Sequence, residues 1–397
     1  MNAHTGPSIE DIAAIKANYA LNDEQRAIID HVDRVAREIL HPLQEKMDAE
    51  EWWPEDLFSK MGELGLLGIT APVELGGSGQ DEFTQALVSE ILSKWNPAVG
   101  LSHGAHDNLC LNNLLRNGSQ GQIEQYVPGL CNGTLVGALG LTEPGAGSDA
   151  LGSMATTAVR DGDDYVLNGT KIYITNGPIA DIVLVYAKTD KSKGAKGISA
   201  FIVETATPGF TVAQKLDKMG FRGSPTGELV FQDCRVPAGN MIGAENTGVS
   251  VVMSGLDLER AMVASMCVGM AERALELALE YSQLREQFGK PISQFQMMQS
   301  KLAEIYVDVE SARAMSYRAL AACVGRGEIH KLTAAACLYA AEAFNRSVTA
   351  ACHIHGGSGY MQDTEINRLY RANKLLEIGA GTSEVRKIII AEELLRG

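Results

Sequence analysis

The stretch Asp164-Tyr165-Val166-Leu167-Asn168-Gly169-Thr170-Lys171-Ile172-Tyr173-Ile174-Thr175 interrupts an otherwise helical sequence and decides the fold. Its two β-prone runs, Tyr165 to Leu167 and Lys171 to Ile174, flank Asn168-Gly169, the strongest two-residue hairpin signal. The spacing therefore predicts two antiparallel strands joined at that dipeptide. Asp181 to Tyr186, Ile198 to Val203 and Glu228 to Phe231 read as further strands, with Pro178, Pro208, Pro225 and Pro237 punctuating the connections.

Outside this region the texture is helical. From Asn22 to about Gly133 apolar residues recur at three and four, as in Glu24-Gln25-Arg26-Ala27-Ile28-Ile29-Asp30-His31-Val32. The proline-free segment from about Thr247 to Gln287 has Leu258, Met262, Ser265, Val268 and Ala271 in helical register, and no proline follows Pro291. The Ala/Leu/Glu/Arg-rich remainder predicts a helix bundle. The expected organisation is mainly α with a central β domain: residues 1–133 helical, 134–244 β, and 245–397 a helical bundle.

A chain of 397 residues with 45% hydrophobic content is long enough to bury a large core. Its net charge of −15, from 49 acidic against 34 basic residues, argues against a nucleic-acid backbone as partner. No run of eighteen apolar residues predicts a membrane span. Met1 to Ala20 has no Arg and no continuous apolar core, so no secretory signal or transit peptide is readable and a cytoplasmic location is expected. The seven cysteines form no Cys-x-x-Cys pair and read as reduced, mostly buried thiols.

Four motifs carry the chemistry: Leu-Asp-Leu-Glu-Arg at Leu256 to Arg260, Thr-Glu-Pro-Gly-Ala-Gly-Ser-Asp at Thr142 to Asp149, Tyr-Ile-Thr-Asn-Gly at Tyr173 to Gly177, and Leu-Glu-Ile-Gly-Ala-Gly-Thr-Ser-Glu at Leu376 to Glu384. The run Leu139 to Ser148 lacks the G-x-G-x-x-G spacing of a dinucleotide fingerprint. Glu259, read alone, is a solvated or salt-bridged helix residue beside Arg260. Gly-Ala-Gly is a bend ahead of the last helix, with Thr382 or Ser383 as its cap.

Together these motifs resemble the acyl-CoA dehydrogenases over nearly the whole chain, closest to the isovaleryl-CoA dehydrogenase branch. The resemblance implies an N-terminal helical domain, a middle β-barrel-like domain and a C-terminal four-helix bundle. It implies FAD-dependent removal of an α-proton and a β-hydride from an acyl-CoA, giving the trans-2-enoyl thioester. Most of the family has a glutamate two residues before the Gly-Thr-Ser threonine, where this chain has Ala380. The isovaleryl branch shares that replacement and carries its base in the Leu-Asp-Leu-Glu-Arg segment, which assigns the base to Glu259. The backbone N–H of Ala380, with a flavin ribityl hydroxyl, is then expected to polarise the thioester carbonyl; donors of this kind contribute roughly 3 to 4 kcal/mol.

For the cofactor the resemblance implies contacts from Leu139, Leu141, Thr142, Gly147 and Ser148, from Tyr173, Ile174 and Thr175, and from Thr382, Ser383 and Glu384. Arg285 and Gln296 are expected to reach the FAD of a neighbouring subunit, which implies a homotetramer built as a dimer of dimers. On the acyl-CoA side it implies Ser148, Ala195, Lys196, Ser250, Asp257, Arg260, Leu376, Gly379 and Gly381. The expected electron acceptor is an electron-transfer flavoprotein.

Three departures bear on specificity. Leu376 stands where the isovaleryl branch usually has tyrosine, and Ser250 lies at another acyl-lining position, so a longer or bulkier branched chain fits. Cys352-His353-Ile354-His355-Gly356-Gly357 has His353 where the family has Gln, and His353, Gly356 and Gly357 are expected near FAD. His353 and His355 lie two apart on a helix and do not share a face, so no metal site is expected. Isovaleryl-CoA to 3-methylcrotonyl-CoA is the leading substrate reading. Open beside it are a longer branched acyl-CoA such as citronellyl-CoA, an oxidase using O₂, and a non-catalytic acyl-CoA-binding or assembly protein.

Overall fold

A computed structural model describes residues 21–325 and 329–396. Residues 1–20, over which no targeting signal is read, lie outside it. The described residues begin with helices α1 (Asp23–Val35), α2 (Gln44–Glu50), α3 (Leu57–Glu63), α4 (Glu82–Trp95), α5 (Pro97–His103), α6 (Asn112–Asn117) and α7 (Gln120–Cys131). Reciprocal capping starts α1: the Asn22 side chain accepts from the Gln25 N–H at 2.8 Å, and the Gln25 side chain accepts from the Asn22 N–H at 3.1 Å. Ile29, Val32 and Val35 then face the core at helical spacing.

The middle region contributes β1 (Gly137–Gly140), β2 (Thr157–Asp161), β3 (Asp164–Thr175), β4 (Ile182–Lys188), β5 (Ile198–Glu204), β6 (Phe210–Lys215), β7 (Thr226–Pro237) and β8 (Met241–Ile242). They form one eight-stranded sheet in the order β6-β7-β3-β2-β4-β5-β8, with β1 parallel to β4. The expected turn at Asn168-Gly169 does not form; β3 runs straight through it. The chain reverses instead at Gly162-Asp163, between β2 and β3, where Gly162 adopts φ +64°.

Asn168-Gly169 serves a different purpose. Leu167 pairs with Cys234 but Gly169 with Phe231, so β7 carries one extra residue opposite this dipeptide. The Asn168 amide fastens that bulge, accepting from the Asp233 N–H at 2.8 Å and donating to its carboxylate at 3.2 Å. Gly169 lets β2 approach: a Cβ there would stand 2.7 Å from Thr156 Cα and 2.4 Å from its Oγ1.

Helix α8 (Gly248–Leu284) follows, then a small hairpin of β9 (Glu286–Gln287) and β10 (Lys290–Pro291), and helices α9 (Gln296–Val324), α10 (His330–His355), α11 (Glu365–Ile378) and α12 (Ser383–Leu395). Leu258, Met262, Ser265, Val268 and Ala271 are all buried along α8. Small residues on the facing helices, Ala264, Ala271 and Ala274 with Ala336, Ala340 and Ala343, let α8, α9 and α10 pack closely. A buried ionic chain joins this bundle to the N-terminal helices. Lys94 of α4 reaches Glu272 at 2.8 Å and Glu276 at 2.5 Å, Arg313 of α9 pairs with Glu272, and Arg273 links Glu276 at 3.1 Å to Glu365 of α11 at 2.8 Å.

All seven cysteines are free thiols and five are buried. Among the described residues no helix is long and apolar enough to cross a membrane. The packing around Gly169 predicts that Gly169→Ala lowers stability by about 1 to 3 kcal/mol in urea unfolding, the usual cost of overpacking. Wild-type stability in that variant would mean that Thr156 and β2 move aside freely.

Candidate active site

Glu259 lies in the fourth turn of α8, half-buried between the buried side chains of Leu258 and Met262. Its carboxylate has no hydrogen-bond or ion-pair partner among the described residues. Burial therefore dominates: it pushes the carboxyl up from its ordinary 4.5 to about 7, against the opposing charges of Arg260 and Arg386. Asp257, two residues earlier, is engaged through Oδ1. It accepts from Arg260 at 2.9 Å, His330 at 2.8 Å and Thr333 at 3.2 Å. Two neighbouring carboxylates thus have opposite environments, one compensated and one poised to hold a proton near neutrality.

The bend between α11 and α12 supplies the second element. Ala380 adopts φ +53° and Gly381 φ +82°. A left-handed alanine costs on the order of 1 kcal/mol, and such strain persists only where surroundings enforce it. Thr382 caps α12, its hydroxyl accepting from the Val385 N–H at 3.2 Å. The Ala380 N–H has no protein acceptor among the described residues, which leaves it available to a ligand. Leu376 is buried on α11, with Gly379 and Gly381 half-buried after it. Arg386 connects this bend to Glu259: it donates to the Leu376 and Gly379 carbonyls at 2.9 and 2.6 Å, and its charge acts on Glu259.

The third element is a wall formed by the loop after β1. Leu139 lies on β1, Leu141 and Thr142 are half-buried, and Gly147 and Ser148 are exposed. Buried Glu143 holds the loop, accepting from the Ala155 and Thr156 amides at 2.5 and 3.0 Å and pairing with buried Lys171 at 2.8 Å. Burial alone would raise this carboxyl; Lys171 and the amide donors outweigh it and keep Glu143 below its ordinary value. The loop is tied to Tyr173-Ile174-Thr175 by the Ile172 N–H donating to the Thr142 carbonyl at 2.9 Å. Here β3 carries an extra residue relative to β7, and Tyr173 stands in the left-handed region at φ +62° with its side chain outward and 67% exposed. Ile174 turns into the core. Asn176, also left-handed at φ +63°, anchors the far end through its amide to the Ser102 and Gly137 carbonyls at 2.8 and 3.2 Å.

Ala195 and Lys196 occupy the turn between β4 and β5, which touches α8, and Ser250 is exposed on the first turn of that helix. Arg285, Gln296, His353, Gly356 and Gly357 group elsewhere, at the opposite end of α8. All five are exposed. Tyr281 ties this end of α8 to the end of α10, stacking on His355 at 4.4 Å and lying 3.4 Å from the Ser358 hydroxyl. His355 is buried, its Nδ1 within 2.8 Å of the Ala351 carbonyl, and burial lowers its basicity. Arg285 is about 39 Å from Glu259 at the α-helical rise, so the two do not share one compact site. Glu143, Lys171, Asn176 and Arg386 are positioning groups that the motifs did not single out. Glu143, Lys171 and Asn176 act through partners distant in sequence and Arg386 through backbone carbonyls, and only Glu143 and Asn176 lay inside a quoted motif.

Three family descriptions match in order: acyl-CoA dehydrogenase N-terminal domain over residues 22–134, middle domain over 138–234 and C-terminal domain over 246–395. The chain belongs to the acyl-CoA dehydrogenase family, flavin-using oxidoreductases that act on CH–CH bonds of acyl-CoA substrates. It is 45% identical over 374 residues to mitochondrial isovaleryl-CoA dehydrogenase from Pongo abelii, covering 93% of this chain and 88% of that relative. The butyryl-CoA dehydrogenase structure from Megasphaera elsdenii superposes with a TM-score of 0.92 at 39% identity, over 96% of this chain and 100% of that one. A chain of the structure described as "Electron transferring flavoprotein of Acidaminococcus fermentans: Towards a mechanism of flavin-based electron bifurcation" superposes with a TM-score of 0.93 at 40% identity, over 96% and 100%.

The residues present fit a flavin. Added Cβ atoms at Gly145, Gly147, Gly356 and Gly357 would meet nothing within 4 Å, and the Tyr173 ring is presented outward beside the loop. The Ser383 hydroxyl is buried with no partner among the described residues, beside a surface cavity of about 270 Å³ lined by Glu342, Glu377, Ile378, Ser383, Glu384 and Lys387.

The unpaired carboxylate has a consequence for stability. A carboxyl raised in the folded state favours folding when protonated, so its contribution is present below about pH 4.5 and is lost as pH rises through about 7. Glu259→Gln removes that loss. Urea unfolding is expected to show the variant matching wild type at low pH and exceeding it at pH 8 by about 1 to 3 kcal/mol; parallel pH profiles would contradict the assigned environment.

Proposed function

We propose that this enzyme dehydrogenates a branched short- to medium-chain acyl-CoA, with isovaleryl-CoA to 3-methylcrotonyl-CoA as the leading reaction. The observation that carries the reading is the half-buried, unpaired Glu259 carboxylate on a chain whose usual base position is Ala380. Glu259 takes the substrate α-proton onto a carboxylate oxygen, and a proton affinity near neutrality suits that role. The Ala380 N–H donates to the thioester carbonyl and stabilises the negative charge that grows there as the proton leaves. Gly379 and Gly381 let the thioester approach the backbone, and Leu376 contributes an apolar surface to the acyl chain. Ala195 and Lys196 are assigned to the CoA-proximal side and Ser250 to the acyl-lining side, with Asp257 and Arg260 further along α8.

FAD is held by Leu139, Leu141, Thr142, Gly147, Ser148, Tyr173, Ile174, Thr175, Thr382, Ser383 and Glu384. When bound, it supplies the acceptor for the β-hydrogen as hydride. Arg285 and Gln296, with His353, Gly356 and Gly357 assigned to the same end, serve the FAD of a second copy, because α8 carries Arg285 about 39 Å from Glu259. That division of labour supports a homotetramer assembled as a dimer of dimers. The exposed hairpin tip beside Arg285, with Phe288 93% exposed, supports burial of this end against another subunit. An electron-transfer flavoprotein is the proposed acceptor, and the structural likeness to a chain from an electron-transferring-flavoprotein study supports it.

Leu376 and Ser250 favour a second substrate, a longer branched chain such as citronellyl-CoA, since an apolar Leu376 removes the hydroxyl that tyrosine would offer there. Anaerobic bleaching of the flavin by isovaleryl-, isobutyryl-, butyryl-, octanoyl- and citronellyl-CoA tests both. Isovaleryl-CoA is expected to bleach fastest; faster bleaching by citronellyl-CoA selects the longer chain, and faster bleaching by octanoyl-CoA refutes branched-chain specificity.

A further inference from the structure

Arg386 lies in the first turn of α12 and is fully buried, at 0% exposed. Burying a guanidinium is costly unless it is hydrogen-bonded and faces countercharge. Among the described residues only Nη2 has partners, the carbonyls of Leu376 and Gly379, and these lie at the negative C-terminal end of α11. Nε and Nη1 are buried with no partner among the described residues.

The Gly379 carbonyl belongs to the same peptide unit as the Ala380 N–H. In a planar trans peptide the two point in opposite directions, so a cation that captures the carbonyl also aims the N–H away from itself. Bonding to a charge polarises the peptide and makes that N–H a stronger donor. The charge of Arg386 also acts on Glu259, opposing the effect of burial. The ionisable groups that feel Glu259 are Arg260 on its own helix, Arg386 from α12, Tyr186 from β4 and Cys337 from α10. Burial keeps Tyr186 and Cys337 neutral at pH 7, so the two guanidiniums are the charges opposing the burial of Glu259.

We propose that Arg386 is a positioning residue that couples the two halves of the active site: it orients and polarises the Gly379–Ala380 peptide, and it supplies countercharge to ionised Glu259. This rests on the reading of Glu259 as base and the Ala380 N–H as carbonyl donor. Sequence alone offers no sign of it, because Arg386 reads as one more cation in an amphipathic last helix.

Arg386→Gln and Arg386→Lys in the flavin-loaded enzyme separate charge from geometry. Two quantities are read: the acid limb of kcat/KM against pH, and titration of the Glu259 carboxyl stretch by infrared difference against the matching Glu259→Gln background. Arg386→Gln is expected to raise both midpoints by about one pH unit, a tenfold change in proton affinity. Arg386→Lys is expected to keep the midpoints near wild type and lose roughly tenfold or more in kcat at high pH, with KM little changed, because the lysine ammonium, one bond shorter in reach and on a flexible stem, does not fix the Gly379 carbonyl as the rigid guanidinium does. Wild-type midpoints in Arg386→Gln, with only the melting temperature lowered, would reduce Arg386 to a packing residue and overturn the proposal. If the Gln variant does not fold, Arg386→Lys decides: lost kcat with normal flavin content upholds the proposal, and wild-type kcat overturns it. The infrared midpoint needs no turnover, so an unmoved midpoint indicts Arg386, whereas an active Glu259→Gln enzyme would indict the base assignment instead.

Discussion

The pairing of charges along α8 is the constraint on which the rest of the structure depends. A helix of 37 residues buried between α4, α9 and α10 cannot carry carboxylates unless each is compensated or kept neutral. Glu272 and Glu276 are compensated by Lys94, Arg273 and Arg313, and those same cations fasten the N-terminal helices and α11 to the bundle. Asp257 is compensated locally by Arg260 and His330. Glu259 has no ion-pair partner among the described residues, so burial outweighs the charges of Arg260 and Arg386 in setting its proton affinity. The stabilising network and the reactive carboxyl belong to one helix, and the first makes room for the second.

The other parts of the site are backbone elements held in conformations they would not adopt alone. Tyr173 and Ala380 are both non-glycine residues with positive φ, and each is secured by a buried ion or ion pair. The Glu143–Lys171 pair fixes the loop that lies against Tyr173, and Arg386 fixes the carbonyl that precedes Ala380. Strain at these two points is maintained by charged groups one layer behind, which leaves N–H groups and an aromatic ring facing outward for ligands.

The helix–sheet–helix order was legible because periodicity, proline placement and the long α8 register are local properties. Family resemblance carried the reading to reaction type, and the family match agrees with it. Asn168-Gly169 misled because a dipeptide's preference for a turn is weaker than the sheet around it: Asp233 claims the asparagine amide, and β2 needs the space above the glycine. Short strands such as β1 and β8 lack enough residues to show alternation. The isolation of Glu259 was not legible, because a sequence cannot reveal that no ion-pair partner among the described residues reaches it from another helix. Arg386 was invisible for the converse reason, since its partners are carbonyls that carry no side-chain signal.

Glu259 as the base is the claim from which the remaining assignments follow. Single-turnover flavin reduction by isovaleryl-CoA in Glu259→Gln, at wild-type flavin content and compared with wild type at pH 8, tests it most directly. The structure predicts a rate lower by at least about a hundredfold, the lower end of what a positioned general base contributes. Reduction within a few-fold of wild type would show that the proton leaves to another group and would contradict the account.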